Sequence, residues 1–101
     1  MESAPPPDDC QTMAQVRAGV DSLDRELVAL LARRFAYMRA AARIKPERAM
    51  VRDEARKAAV IAAARAEAQR LGAPAERLAA LWEALVESSI AYELEQWDAR
   101  D

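Results

Sequence analysis

Residues 13–44 read MAQVRAGVDSLDRELVALLARRFAYMRAAARI, a stretch interrupted by one glycine, Gly19, and by no proline. Within it Val16, Val20, Leu23, Leu27, Leu30, Tyr37, Ala41 and Ile44 follow the steps of three and four that mark one face of a helix. At 1.5 Å per residue the stretch predicts a single helix about 48 Å long. Thr12 followed by Gln15 fits a capping box at its start, and Pro46 ends it. Arg34 stands on the same line, between Leu30 and Tyr37. A guanidinium cannot shed its charge, so on an apolar stripe it needs a carboxylate or phosphate partner. That partner is either a ligand or an acidic side chain such as Asp21, Asp24 or Glu26 of a second chain.

The remaining elements follow from punctuation. Pro46 to Arg52 reads as a loop, and Asp53 caps, or opens the first turn of, a second helix through Leu71. Gly72 stops that helix, and Pro74 sits where the first turn of a third begins. The third helix carries Leu78, Leu81, Trp82, Leu85, Val86, Ile90, Leu94 and Trp97 on a broad apolar face. No strand signal and no repeat is present. The expected fold is all-α, a three-helix subunit with one long N-terminal helix. A flexible leader, residues 1–11, precedes a helical domain, residues 12–101.

Composition adds a constraint on assembly. Of the 101 residues 25 are Ala, which suit helices but bury little area each. A long stripe cannot be buried by two shorter segments of such a chain, so sharing a core with a second copy is expected. Net charge is −2, from 15 basic and 17 acidic residues, which offers no global attraction to nucleic acid or to acidic membranes. No segment approaches the roughly 20 apolar residues of a membrane span. The Pro-rich, acidic start lacks the features of a signal peptide, so a cytoplasmic location is expected. With one Cys and no His, an intrachain disulfide, a His-based triad and a Cys/His zinc site are excluded within one chain. Cys10 lies beside Asp8 and Asp9, neighbours that disfavour a thiolate.

Several charged positions are candidates for a site. Arg34 and Lys45 are eleven residues apart, three turns plus about 20°, and so share a face at roughly 16 Å. Two long side chains leaning together there can grip a small dianion. Arg17 lies about 100° around the helix and about 25 Å from Arg34, out of reach within one chain but available from a second copy. Ser89 and Glu93 share a line at i, i+4 on the third helix. Arg52, Asp53 and Arg56 stand at the start of the second. Each has a plain alternative: an interface arginine for Arg34, a solvated helix end for Lys45, and a solvent-facing margin for Ser89 and Glu93. Arg33, Arg39, Arg43 and Arg48 read as solvated charges, and Tyr37, Trp82, Tyr92 and Trp97 as packing residues. Coincidence of several positions, and no single one, carries the functional case.

From Asp9 to about Trp97 the chain resembles the all-α class of chorismate mutases and the closely related isochorismate pyruvate lyases. The strongest stretch runs from Val16-Arg17 through Val20-Asp21-Ser22-Leu23-Asp24 to Leu30-Leu31-Ala32-Arg33-Arg34, followed by Ile44-Lys45. Val51-Arg52-Asp53 with Arg56, and Ser89-Ile90-Ala91-Tyr92-Glu93, follow in the expected order. The resemblance implies an intertwined homodimer of the chorismate mutase type II kind, with two equivalent sites. It implies that Arg34 and the second copy's Arg17 hold a dicarboxylate substrate, that Lys45 hydrogen-bonds near its ether oxygen, and that Asp53, Arg56 and Ser89 make further substrate contacts. Glu93 stands where many relatives have Gln, and Lys57 where a typical mutase has a Glu for the ring hydroxyl.

The activity implied is rearrangement of chorismate to prephenate in aromatic amino-acid biosynthesis. Such a unimolecular pericyclic reaction needs no cofactor, metal or nucleophile, only selection of the folded conformer and stabilisation of charge on the ether oxygen. A carboxyl at Glu93 donates only when protonated, which implies turnover favouring acidic pH. Isochorismate pyruvate lyase is the alternative, favoured by the Asp9-Cys10 leader. A non-catalytic dimerisation module would explain the stripe but not Arg34, Lys45 and Glu93 together.

Overall fold

The computed structural model describes residues 4–101, so the first three residues of the expected leader lie outside the described residues. The described chain is all-helical: α1 spans Met13–Ile44, α2 Glu54–Arg70 and α3 Ala75–Ala99, with 3-10 turns at Pro7–Asp9 and Arg48–Met50. It divides after Arg34 into two compact units, so that α1 contributes to both. No helix among the described residues is long and apolar enough to cross a membrane.

In the first unit the capping box forms as read. Gln15 N–H donates to Thr12 Oγ1 at 3.2 Å, while Gln15 Oε1 accepts from the N–H groups of Gln11 at 2.7 Å and Thr12 at 3.3 Å. Three backbone donors at the helix start are thereby satisfied by two side chains. The apolar stripe that follows is uncovered: Val16, Val20, Leu23, Leu27 and Leu30 are all exposed, Leu23 and Leu30 each by 56%. A groove of about 720 Å³ runs beside it, lined in part by Pro5, Pro7, Cys10, Val16, Val20 and Leu23.

The second unit owes its shape to caps at both ends of α2. Asp53 accepts from Arg56 N–H at 3.0 Å and so satisfies a first-turn donor. At the other end Gly72 N–H donates to Gln69 O at 3.1 Å and Ala73 N–H to Ala68 O at 2.8 Å. Those two bonds make a Schellman motif, which requires the left-handed backbone of Gly72, φ 70°. The chain then enters α3 at Pro74 and packs it against α2.

Val51, Val86 and Ile90 form the buried cluster, with Val60, Ile61, Trp82, Leu94 and Trp97 packed on it. The other buried apolar residues are Ala42, Ala68 and Ala79, so half of the core is alanine and contributes little area. Leu81, read as part of the apolar face of α3, lies beyond the packed side and stays exposed. Phe35 meets Tyr92 edge to face, ring centroids 5.1 Å apart, and ties the last part of α1 to α3.

Candidate active site

Lys45 follows the last residue of α1, and its Nζ lies 2.6 Å from Glu93 Oε2. The Glu93 side chain is 5% exposed and that of Lys45 30%, so the carboxylate is buried and the ammonium reaches it from the rim. A buried carboxylate is tolerated when it is paired and hydrogen-bonded, and Lys45 supplies the charge. One turn earlier on the same face of α3, Ser89 is buried and its Oγ donates to Leu85 O at 2.7 Å. The readings of Lys45 as a solvated helix end and of Ser89 and Glu93 as a solvent-facing margin are therefore corrected. Within the second unit, packing of α2, the Arg48–Met50 turn and the end of α1 from Phe35 onward against α3 encloses positions that spacing alone put at the edge of the apolar stripe.

The other candidates are placed as follows. Asp53 is an N-cap whose carboxylate faces Arg56 N–H, and the Arg56 side chain is exposed. Arg17 and Arg34 belong to the first unit, Arg17 exposed and Arg34 half-buried. Arg52 is engaged by Glu54 at 2.9 Å and by both oxygens of Glu87, at 2.9 and 3.1 Å. Arg48, read as solvated, is paired with Asp98 at 2.8 and 3.1 Å on the surface.

Lys57 bonds to Glu83 at 2.7 Å and to Glu87 at 2.9 Å, joining α2 to α3. Sequence spacing gave no signal for these partners, because they are 26 and 30 residues away on another helix. Arg52 foremost, then Lys57, holds the Glu87 carboxyl down at about 2 from its ordinary 4.5. A depressed carboxyl stabilises the fold above its unfolded pKa, and that contribution is lost as pH falls through the folded value. The melting temperature is thus expected to decline between pH 4.5 and about 2, and Glu87→Gln to flatten that decline in a pH series of thermal melts.

The sequence pattern of the chorismate mutase type II family matches residues 16–94. The chain belongs to the chorismate mutase type II family. The match spans α1 from Val16, all of α2, and α3 through Leu94, and so includes the Lys45–Glu93 ion pair as well as Arg17 and Arg34. Among curated proteins, an isochorismate pyruvate lyase from Pseudomonas aeruginosa is 30% identical over 91 residues, 90% of each chain. A chorismate mutase type II member is thus also similar, along nearly its whole length, to a protein named for a lyase reaction. The family is one of enzymes, and the buried ion pair lies inside its matched region.

Proposed function

We propose that this chain is a chorismate mutase that rearranges chorismate to prephenate, with Lys45 as the cation at the breaking bond. The observation that carries the reading is the Lys45–Glu93 pair, a lysine ammonium held at 2.6 Å on a buried carboxylate within a family-matched region. In the rearrangement the ether C–O bond breaks as a C–C bond forms, and negative charge grows on the ether oxygen. An ammonium already fixed in place stabilises that charge without reorganising at the moment of reaction. Ser89 lines the pocket beside it, and Asp53 and Arg56 contact the substrate from the start of α2.

The two substrate carboxylates go to Arg34 and to the Arg17 of a second copy, in a homodimer whose seam is the uncovered stripe of α1. Exposed Val20, Leu23, Leu27 and Leu30 support that seam, since contiguous apolar surface of this kind is what subunit interfaces cover. The substrate is a small dicarboxylate, and no cofactor, nucleic acid or membrane enters the reaction.

A second reading, isochorismate pyruvate lyase, is favoured by the Pseudomonas aeruginosa relative. The engagement of Lys57 with Glu83 and Glu87 supports it too, because the position that typically serves the ring hydroxyl in a mutase is here committed to the α2–α3 contact. Both reactions break the same kind of ether bond, and in the lyase a ring hydrogen passes to the departing enolpyruvyl group to give pyruvate. Incubation of the protein with chorismate and, separately, with isochorismate decides between them. Prephenate from chorismate supports the mutase, salicylate with pyruvate from isochorismate the lyase. Turnover of neither by a folded dimer would leave a dimerisation module.

A further inference from the structure

We propose that Arg100 is a positioning residue for Lys45, acting through the main-chain carbonyls at the C-terminus of α1. The inference deepens the reading of Lys45 as the cation at the substrate's ether oxygen, and rests on it. A helix end leaves its last four carbonyls without intrahelical donors. At α1 the Ala41 carbonyl is taken by Lys45 N–H at 2.9 Å. Arg100 supplies donors just beyond it: Nη1 to Ala42 O at 2.9 Å and to Lys45 O at 2.6 Å, with Nη2 to Pro46 O at 3.4 Å. Trp97 Nε1 donates a second bond to Lys45 O at 3.2 Å, so both lone pairs of that carbonyl are used. The guanidinium lies over the Trp97 ring, 4.1 Å from its centroid.

The consequence is that Lys45 is held at both ends by the C-terminal part of the chain. Glu93 fixes the ammonium, while Trp97, one turn further along α3, and Arg100 fix the backbone. The two attachments do different work. When substrate draws the ammonium toward its ether oxygen, the bond to Glu93 must lengthen or be shared, and the backbone attachment then sets where Nζ can go. A flexible four-carbon stem needs such an anchor, because a displacement of about 1 Å at a reacting group can cost 10²-fold in rate. Arginine suits the position: its planar fork reaches three carbonyls while its face stacks on an indole, and its charge complements the negative end of α1.

The test reads the Lys45 ammonium directly, by its ¹⁵Nζ resonance in full-length protein, alongside thermal unfolding and steady-state turnover. Arg100→Met keeps an apolar stem against Trp97 and removes every donor, so it preserves the fold where Arg100→Ala fails to. The expected result is a Lys45 resonance that broadens or disappears through faster exchange in Arg100→Met, and recovers in part in Arg100→Lys. Arg48→Ala, which cuts the surface pair with Asp98, leaves it unchanged. Turnover of the accepted substrate falls about ten- to a hundred-fold in kcat with a smaller change in KM. A Lys45 resonance as sharp in folded Arg100→Met as in the wild type overturns the proposal, as does an equal loss in Arg48→Ala. If the wild type turns over neither chorismate nor isochorismate, the functional reading falls, and the ammonium resonance still decides the role of Arg100.

Discussion

Replacing Lys45 with methionine is expected to lower turnover by at least about 10²-fold and to destabilise the fold by about 2 kcal/mol. The two losses have separate origins. Turnover falls because the charge-assisted donor to the ether oxygen is gone, and donors of this kind typically contribute about 3 kcal/mol in the transition state. Stability falls because the Glu93 carboxylate, 5% exposed, is left in the interior without its cation. Removing one member of a fully buried pair costs about 3–5 kcal/mol, and the 30% exposure of Lys45 reduces that. The double variant Lys45→Met, Glu93→Gln separates them, since a neutral amide in place of the carboxylate removes the uncompensated charge. Urea unfolding should show most of the stability restored, while turnover stays low. Restored turnover in the double variant would mean that Lys45 serves only to neutralise Glu93.

Much of this architecture is legible in the sequence, for reasons that differ between elements. Helix α1 declares itself through 32 residues of unbroken periodicity and the Thr12–Gln15 pair, because cap chemistry is local and its partners are three residues apart. The boundary at Gly72 is equally local: only a residue free to take φ 70° closes the Schellman bonds there. The pairing of Lys45 with Glu93, by contrast, joins residues 48 apart. Spacing along each helix left each as either a site candidate or a solvated position and carried no sign that the two meet, which packing alone brings about. Lys57 with Glu83 and Glu87 escaped altogether, and so did Arg100 on the carbonyls of α1. A surface arginine and a free backbone carbonyl carry no pattern in sequence, because any of many long side chains can reach any helix end. The resemblance to the chorismate mutases brought the candidate residues into one order, and the match over residues 16–94 shows the family while assigning neither the reaction nor those residues.

Arg34→Ala should abolish turnover while leaving a folded dimer, and Arg17→Ala should do the same; mixed, the two inactive proteins should regain activity. Each substitution removes one charge-assisted clamp on a substrate carboxylate, a loss expected to exceed about 10²-fold. If each site draws Arg34 from one chain and Arg17 from the other, a heterodimer of the two variants contains one site missing both arginines and one site missing neither. Random reassortment after co-refolding makes half of the dimers mixed, so roughly a quarter of wild-type turnover returns in a twofold-symmetric dimer. Sedimentation of each single variant guards the conclusion, because an Arg34→Ala protein that runs as a monomer would reassign Arg34 to an interface ion pair. Heterodimers that form and remain inactive would show that Arg17 does not cross to the second site. The stripe itself makes the crossed arrangement reasonable: Leu23, Leu27 and Leu30 lie between the two arginines along α1 and are exposed on the single chain. Whatever covers those leucines brings its own surface alongside Arg34, and a second α1 covering them brings a second Arg17 with it.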